Sequence, residues 1–547
     1  MRLRIRASET RVTGAERRLT RTLRFSEGLN LVRAENNMGK TTVLMTILYA
    51  LGWEGMLGPG RTVPFTPAVT SEIDDGEHRE AVLESSAITE LAGAGGEVMT
   101  VQRAIRSEHE RRELVHTWNG SVLSEAESAH ERRDYYVREK GAARNEAGFH
   151  HRLAELIGWD LPEVASWDGS SVLLYTEVIA PLLFVEQTRG WSWIASVMPR
   201  YLRLRDPEQR ATEFLLSLDS LTRAAERDIL VARREEGYDD AIRLRDFGST
   251  QALAVDQGSC PTCDQPLPTT LLGVEIGPVM TLEENRALID GELLTFKAMR
   301  DDAREVLLAS RQRLGALRGE LNETRRSIRS LKGALTQNGE APSQAAIARQ
   351  VRLADRIEEL EGLEQALAAV GEDLGKRASE YREVNAALQK IGARGTLTEG
   401  DEAKLEAFAE LLREQLGEYG FSSVPPEEIE LAPDNYQPMR AGSPLRPEKL
   451  SASDRVRMVW AYLVGLLEMA RRFETAHPGL LVLDEPGQQE VREESLAALF
   501  RRLARSAEYN QQVIVATSKS GAAIASMLNG AEASLTEIEG YALKPTG

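Results

Sequence analysis

The sequence predicts an α/β protein whose two globular ends are separated by a long helical segment. Residues 1–200 contain short runs of alternating apolar and polar residues with glycine-containing breaks, as expected for strands and turns. Residues 206–416 are rich in helix formers, and their apolar positions recur every seven residues. After a loop rich in proline and glycine at 425–447, an apolar helix and two hydrophobic strands indicate a second globular end.

Heptad repeats predict a coiled coil in the helical segment. A sustained seven-residue repeat keeps one seam of a helix facing a partner helix. A globular helical bundle shares this pattern and is the alternative. The residues of the first series are Leu307, Leu314, Leu321, Ile328 and Leu335; those of the second are Leu353, Leu360, Leu367, Leu374, Tyr381 and Leu388, with Leu363, Val370, Val384 and Ile391 at the complementary position.

Composition restricts the class of protein. The chain has 547 residues and a net charge of −18, so it does not coat nucleic acid over its whole surface, although a local basic face is compatible with this charge. The N-terminal segment lacks the apolar core of a signal peptide. The most apolar run, at 172–186, contains Glu177 and Pro181, is shorter than a membrane helix and is predicted to be a buried strand. These features predict a cytoplasmic protein that does not contact a membrane.

A phosphate-binding loop is predicted near the N-terminus. A buried strand at 29–32 is followed by AENNMGKTT at 34–42 and an apolar helix, the context in which a Walker A motif binds nucleotide. Backbone N–H groups would hold the phosphates of ATP, Lys40 would reach the β and γ oxygens, and Thr41 would ligate magnesium. A chance match to GKTT is the alternative. The predicted nucleotide-binding residues here are Asn36, Asn37, Gly39, Lys40, Thr41 and Thr42.

A second motif lies more than 400 residues further along the chain. The segment LLVLDEP at 480–486 is a hydrophobic strand that ends in two acids, as a Walker B motif requires. Asp484 would hold the magnesium shell, and Glu485 would polarise the attacking water. Upstream, Ser451 or Ser453 can cap a helix whose N-terminus would meet a phosphate. The alternatives are a strand with an acidic turn and an ordinary capped helix.

With its motifs in this order, the chain resembles the SMC-like branch of the ABC ATPases. LSASD at 450–454 is similar to that family's signature motif, DEPGQQE at 484–490 to its Walker B and D-loop, and FVEQ at 184–187 to its Q-loop. The resemblance implies an α/β ABC-type ATPase head that is assembled from N- and C-terminal lobes and interrupted by a long antiparallel coiled coil. It also implies a homodimer in which two heads sandwich two ATP molecules. Ser451 would then contact the γ-phosphate held by the other head, and Gln187 would sense magnesium and the attacking water.

The chain departs from this family at several positions. Asn37 stands where a loop glycine is usual, and asparagine tolerates positive φ well enough to keep the turn. The signature has Ala452 and Ser453 in place of glycines. Thr517 and Ser518 stand where the family often has a switch histidine. The resemblance therefore implies that Ser518 takes the place of this histidine as a catalytic residue. Loss of a γ-phosphate hydrogen bond of this kind weakens transition-state stabilisation, so slow basal hydrolysis is expected.

Cys260 and Cys263, the two cysteines of the chain, lie within GSCPTCDQPLP at 258–268. Structural zinc needs four ligands, so one CxxC pair would bind zinc only together with a second chain. CPTC matches the C-P-x-C form of the zinc hook in SbcC-like ATPases, which work with a nuclease in repair of DNA double-strand breaks. The resemblance implies zinc shared between two chains at the tip of the coil. A redox pair and two unremarkable thiols are the alternatives.

Five segments follow from these motifs. The arms on the two sides of the cysteines have unequal lengths, so either the 344–392 helix folds back as an extra hairpin or part of the first arm lies outside the chain. The segments are an N-terminal ATPase lobe at 1–205, an ascending coiled-coil arm at 206–256, the hook at 257–268, a descending coiled coil with a helical hairpin at 269–424, and a C-terminal ATPase lobe at 425–547.

The charge distribution suggests what the ATPase acts on. Residues 1–61 hold eleven Lys and Arg against five Asp and Glu, and Arg200, Arg203 and Arg205 add basic charge near the start of the coil. Such surface suits a sequence-nonspecific grip on a DNA backbone, whereas surface ion pairs are the alternative. The leading hypothesis is an ATP-gated DNA clamp or sensor, in repair or in prokaryotic anti-phage or anti-plasmid defence, with a separate nuclease or effector. A nucleotide-switched scaffold that does not act on DNA is the second hypothesis.

Overall fold

A computed structural model divides the chain into two compact units. The head unit comprises Met1–Ile229 and Ile391–Gly547, and the arm unit comprises Leu230–Lys390. The structure describes residues 2–35, 38–74, 78–124, 131–137, 146–167, 170–221, 309, 311–333, 344–393, 397–432, 435–541 and 543–545.

The strands all lie in the head unit. They are β1 (Leu3–Gly14), β2 (Arg18–Arg24), β3 (Gly28–Ala34), β4 (Glu72–Asp74), β5 (Arg79–Gly93), β6 (Val98–Arg106), β7 (Leu114–Asn119), β8 (Arg132–Tyr136), β9 (Glu163–Ala165), β10 (Ser171–Leu173), β11 (Phe184–Val185), β12 (Ile429–Leu431), β13 (Pro438–Arg440), β14 (Ser443–Pro444), β15 (Leu480–Asp484), β16 (Gln512–Thr517), β17 (Ser534–Ile538) and β18 (Lys544–Pro545). These strands are those of the described residues.

The helices of the described residues lie in both units. They are α1 (Lys40–Ala50), α2 (Pro67–Thr70), α3 (Phe149–Ile157), α4 (Thr176–Ile179), α5 (Pro207–Leu216), α6 (311–333), α7 (Gln344–Ala393), α8 (Glu399–Glu418), α9 (Ala452–Arg472), α10 (Glu493–Ala504) and α11 (Gly521–Leu528). None of them is long and apolar enough to span a membrane.

A five-stranded parallel sheet joins the two ends of the chain. Its order is β11, β15, β16, β3 and β17, and every neighbouring pair is parallel. All residues of β15 and β16 are buried. A parallel sheet is normally covered on both faces, so its strands are continuous apolar runs. Since β3 comes from the N-terminal segment and β16 from the C-terminal one, the prediction of an α/β head assembled from both ends is confirmed.

A second, antiparallel sheet has the order β18, β2, β1, β5, β6, β7 and β8, with β4 paired to β5. Helix α1 contacts β1 and β5 of this sheet as well as β3 and β16 of the parallel sheet. Ten of its eleven residues are buried, so it is apolar on almost every side. The helix that follows the phosphate loop is therefore held between the two sheets.

The run at 172–186 differs from its prediction as one buried strand. It forms the end of β10, helix α4, a 3-10 turn at Ala180–Leu182 and the short strand β11. Its residues are largely buried, as the apolar composition requires, but Pro181 favours a turn over a continuous strand. Periodicity cannot distinguish a short buried strand from a short buried helix.

The head unit also extends further into the predicted helical segment than the sequence indicated. Helix α5 lies beyond the predicted boundary at 205, and helix α8 lies before the predicted boundary at 425. Phe214 and Leu215 of α5, and Phe408 and Leu412 of α8, are buried in the head core. An amphipathic helix that packs on a globular core has the same apolar spacing as a coiled-coil arm, and this explains the difference.

The two helices α5 and α8 are joined where the chain leaves and re-enters the head. The carboxylate of Asp401, which is buried, accepts hydrogen bonds from the backbone N–H groups of Asp219 (2.8 Å) and Ser220 (3.1 Å). Lys404 Nζ donates to the carbonyl of Ser217 at 2.6 Å, at the C-terminal end of α5. The side chains of α8 thus satisfy backbone groups at a helix end, where partners within the helix are missing.

Within the arm unit, α6 and α7 form an antiparallel pair. Arg318 bonds Glu364 at 3.2 Å and Arg325 bonds Glu361 at 2.6 Å, so ascending positions on α6 meet descending positions on α7. Leu321 and Leu360 of the two heptad series are buried. The described residues of the two helices therefore run antiparallel, and the predicted descending coil with a helical hairpin stays a prediction.

The complementary heptad position behaves differently from the prediction. Leu363 and Val370 are 43% and 46% exposed, and Tyr381, which belongs to the main heptad series, is also 43% exposed. Helix α7 meets α6 through the face that carries Leu353 and Leu360, so the 363 and 370 positions point to another side. The predicted ascending arm beyond residue 221 and the hook at 257–268 lie outside the described residues.

Candidate functional site

The carboxyl ends of the parallel strands bring the predicted site residues together. Lys40 follows the loop after β3, Gln187 follows β11, Asp484 ends β15, and Ser518 follows β16. In parallel α/β sheets the crevice outside the carboxyl ends of the strands is the usual ligand site. Residues separated by up to several hundred positions in the chain thus share one edge of one sheet.

The phosphate loop places Lys40 in a buried, polar position. Gly39 caps α1 with a φ of 93°, a left-handed conformation that glycine adopts without steric cost. Lys40 Nζ donates to the carbonyls of Ala34 (2.7 Å) and Glu35 (3.1 Å) and lies 2.9 Å from Oε1 of Glu485. The ammonium group therefore lies where the loop, the helix N-terminus and the Walker B strand meet.

Other loop residues have separate positions. The hydroxyl of Thr42 is buried and bonds the hydroxyl of Thr66 at 3.4 Å. Asn36 and Asn37 lie outside the described residues. Thr41 donates from its hydroxyl to Oε1 of Gln187 at 3.0 Å, which links the phosphate loop to the Q-loop position.

Asp484 is fully buried, and neither of its carboxylate oxygens has a hydrogen-bond partner among the described residues. Burial raises the pKa of Asp484 to about 7, and the nearby charge of Glu485 adds to the rise, whereas the Thr41 hydroxyl and the Lys40 ammonium oppose it. Buried carboxylate oxygens without partners are rare and costly, so they indicate a group that binds a ligand.

The oxygen atoms at this edge fit a small, hard divalent cation. They are the carboxylate of Asp484, the hydroxyl of Thr41 and the amide oxygen of Gln187. Magnesium sites in nucleotide-binding proteins use one or two carboxylates, hydroxyl and water oxygens, and the phosphates themselves. No group of three or more His, Cys, Asp or Glu side chains arranged to hold a metal occurs in the described part of the chain.

Glu485 has the backbone and side-chain setting expected of a catalytic group. Its φ is 52°, in the left-handed region that non-glycine residues seldom adopt and that is concentrated at functional sites. The backbone N–H and the hydroxyl of Ser518 each lie 3.3 Å from Oε2. Ser518 therefore contacts one oxygen of the carboxylate whose other oxygen lies beside Lys40.

The signature segment forms the N-terminus of α9. Ser451 is the N-cap, it is exposed, and its hydroxyl accepts from the N–H of Asp454 at 3.1 Å. Burial raises the pKa of Asp454, but hydrogen bonds from Ser423 and Arg457 outweigh this effect and hold the pKa below its ordinary value. Among the described residues, no hydrogen bond joins Ser451 to Lys40, Thr41 or Asp484. The structure therefore does not bring Ser451 into the site of its own chain.

Two residues that sequence reasoning missed support the site. The indole N–H of Trp191 donates to the backbone carbonyl of Asp484 at 2.7 Å. The carboxylate of Glu186, which is buried, accepts from the backbone N–H groups of Thr188 (2.6 Å) and Gly190 (3.0 Å) and fixes the turn that presents Gln187. Glu186 could have been identified as part of the site, because it is a charged residue at the end of an apolar run. No feature of the sequence identified Trp191.

The predicted zinc ligands Cys260 and Cys263 lie outside the described residues.

Comparisons with known proteins give limited similarity. No protein-family model and no curated protein matches the chain. Among solved structures, the chain is similar to the Smc head domain with an extended coiled coil bound to the C-terminal domain of ScpA from Pyrococcus furiosus, at 9% identity and a TM-score of 0.35, over 100% of this chain and 96% of that one. It is also similar to the Smc head domain with a coiled coil and joint from Pyrococcus yayanosii, at 12% identity and a TM-score of 0.36, over 100% of this chain and 97% of that one. Both TM-scores are below 0.5, so the function below rests on the residues of the site.

Proposed function

We propose that this chain is an SMC-like ATPase that binds and slowly hydrolyses ATP at the carboxyl edge of its parallel sheet. The proposal rests chiefly on one observation. Lys40 pairs with Glu485, and Thr41 bonds Gln187. The buried carboxylate of Asp484 lies at the same edge, so residues from both ends of the chain meet there. Chance matches to two separate motifs would not be expected to meet at one edge of one sheet.

The phosphate-binding part of the mechanism uses the loop after β3. The ammonium of Lys40 neutralises charge on the β and γ phosphates, and the N-terminus of α1 presents backbone N–H groups to them. Asp484, Thr41 and Gln187 would hold magnesium, which neutralises the developing charge during phosphoryl transfer. Trp191 and Glu186 keep the Asp484 backbone and the Gln187 turn in place.

The hydrolytic part depends on Glu485. Its carboxylate orients the attacking water and accepts hydrogen-bond donation from it, while Gln187 helps to position that water. Ser518 donates to the far oxygen of the same carboxylate and fixes its orientation. A hydroxyl at this position supplies no cationic donor to the γ-phosphate, so basal turnover is slow.

A complete site requires two chains. Ser451 is exposed at the N-terminus of α9 and is bonded within its own helix. An exposed, capped helix N-terminus is suited to meet the γ-phosphate held by another head. We therefore propose an ATP-engaged homodimer in which Ser451 acts in trans.

The substrate on which the ATPase acts is proposed to be DNA, gripped without sequence preference. Arginines on β1, on β2 and in the loop before α5 supply basic surface on an acidic protein. Cutting would belong to a separate nuclease or effector, in DNA repair or in defence against phage or plasmid DNA. Zinc, shared between the Cys260 and Cys263 pairs of two chains, would join the arms at a hook.

Hydrolysis assays with and without DNA test the proposal. We expect magnesium-dependent ATP hydrolysis, which Lys40→Ala abolishes by weakening ATP binding and Glu485→Gln abolishes while trapping a head-engaged dimer. DNA that stimulates hydrolysis with a steep salt dependence supports the DNA clamp. Hydrolysis that is indifferent to DNA supports the nucleotide-switched scaffold instead. Wild-type turnover in Glu485→Gln would refute the catalytic assignment.

A further inference from the structure

A single tryptophan stands out on the surface of the head unit. Trp167 is 72% exposed, the most exposed of the large hydrophobic residues in the described chain. It lies between β9 and β10 in the chain, next to Ser166, whose backbone N–H donates to the carbonyl of Ser170 at 2.8 Å. Large aromatic rings are seldom left in water without a partner to cover them.

The ring is exposed but its position is fixed. Its indole N–H donates to the carbonyl of Leu204 at 2.7 Å, and its backbone N–H donates to the carbonyl of Arg203 at 2.9 Å. Ser166 and Leu204 form an antiparallel bridge and are both buried, whereas Trp167 and Arg203, which flank the bridge, are exposed. A ring that is already held in place loses little conformational entropy when it binds a partner.

The loop that holds the ring is basic. Arg203 and Arg205 form no side-chain ion pair with any described residue, while Arg200, with its side chain 76% exposed, pairs with Glu208. Arg203 has a φ of 58°, a left-handed conformation that costs energy in a non-glycine residue and is often retained for function. Residues 200–206 hold three arginines against Asp206, and Asp168 follows Trp167 in the sequence, so arginines outnumber these acids.

We propose that Trp167 stacks on an unpaired DNA base while Arg203 and Arg205 hold the adjacent phosphates. This inference rests on the DNA-binding part of the proposed function and adds the form of DNA that the chain recognises. A tryptophan ring can stack only on a base whose face is free, and bases inside a duplex are covered by their neighbours. Aromatic rings beside a positively charged track are the usual means of holding single strands.

A protein partner would be recognised by different surroundings. Tryptophan at the centre of a protein interface is normally enclosed by other apolar side chains. Among the described residues, the exposed residue that flanks the bridge beside Trp167 is Arg203, whose charge attracts phosphate. Charge complementarity therefore favours nucleic acid over protein.

Fluorescence anisotropy of the full chain tests this proposal, with a labelled oligothymidine of about twenty nucleotides and a duplex of the same length. Trp167→Ala should weaken binding of the single strand by about 5- to 100-fold, the loss expected when one stacked base is released, and should change duplex affinity by less than about twofold. Trp167→Phe, which keeps a stacking ring, should retain single-strand affinity within about threefold. Tyr541→Ala, which removes another exposed aromatic ring, should leave both affinities unchanged.

The salt dependence separates the roles of the ring and the arginines. Arg203→Gln should weaken both DNA forms and lower the slope of log affinity against log salt by about 0.7 to 0.9, whereas Trp167→Ala should leave the slope unchanged. Unaltered single-strand affinity in a folded Trp167→Ala variant overturns the proposal and makes the ring a protein-docking surface. If the wild-type chain binds neither form of DNA, both the Trp167 inference and the DNA-binding part of the proposed function fail. If the chain binds duplex DNA and Trp167→Ala has no effect on single-strand binding, the Trp167 inference alone fails.

Discussion

Glu485→Gln is expected to tighten ATP binding while it abolishes hydrolysis. Lys40 Nζ lies 2.9 Å from the carboxylate of Glu485, and both side chains are buried, so the phosphates of ATP must compete with this carboxylate for the ammonium group. An uncharged amide attracts the ammonium less than a carboxylate does, by about 1–2 kcal/mol for one hydrogen bond. That difference corresponds to a dissociation constant for ATP that is about 5- to 30-fold lower.

Titration with a fluorescent ATP analogue and a steady-state assay measure the two effects separately. We expect kcat to fall by at least about a hundredfold, because the group that accepts the proton from water is lost. Ser518→Ala is the matched control, since it removes a neutral donor from the same carboxylate and keeps its charge. Its ATP affinity should stay within about twofold of wild type. Weaker ATP binding in Glu485→Gln would refute the competition between carboxylate and phosphate.

Three further predictions concern the fold and the hook. Arg502→Met removes the bidentate partner of the buried Glu468 carboxylate, at 2.6 and 3.0 Å, and leaves Arg471 at 3.0 Å as its other cation. The substitution should cost about 1–3 kcal/mol in denaturant unfolding, and an unchanged stability would contradict this. Burial lowers the pKa of His477 to about 3, below its ordinary 6.5. Between these two pH values the unfolded chain binds a proton at His477 and the folded chain does not. The free energy of unfolding should therefore fall by about 1.4 kcal/mol for each pH unit as the pH drops through this range. His477→Gln should show a shallower pH dependence of thermal unfolding, and parallel curves would count against the buried neutral histidine. Metal analysis should find about half a zinc per chain. The Cys260→Ser, Cys263→Ser double variant should lose this zinc and should also lose the dimer that forms without nucleotide. A full zinc per chain would contradict the predicted zinc hook.

The sequence predicted an element correctly where its own apolar pattern and the residues on either side of it indicated the same structure. The apolar run before the phosphate loop, and the run that ends in Asp484, are strands with the predicted positions. Continuous apolar residues followed by glycine or acid mark buried parallel strands that end at a ligand edge. The order of the strands in the sheet could not be obtained in this way, because it is decided by contacts between distant segments.

The limits of the head unit depend on such distant contacts. The sequence placed α5 and α8 in the coiled-coil arms, because an amphipathic helix on a globular core has the same apolar spacing as a coiled-coil helix. Their assignment to the head follows from packing, as in the burial of Phe214 and Phe408. The carboxylate of Asp401 gave no sequence signal beyond a helix cap, although it also binds backbone groups near residue 220.

Within the site, the motifs predicted which residues meet but not how they contact one another. Lys40, Asp484 and Glu485 were assigned from motif positions alone. The ion pair of Lys40 with Glu485, and the support of the Asp484 backbone by Trp191, depend on side-chain directions that only the folded chain determines.

The split of the site between two ends of the chain carries only a small energetic cost. Closing a loop costs about 0.6 kcal/mol more for each doubling of its length, so the insertion Leu230–Lys390 costs only about 2 kcal/mol more than a loop of about twenty residues. Burial of a single large aliphatic side chain gains about 1.5–3 kcal/mol, and β15 and β16 bury several. The hydrogen bonds of Asp401 and Lys404 to residues 217–220 also join the two parts of the head unit that lie on either side of the insertion in the chain. The parallel sheet can therefore place Lys40 beside Glu485 although a long insertion separates these residues in the chain.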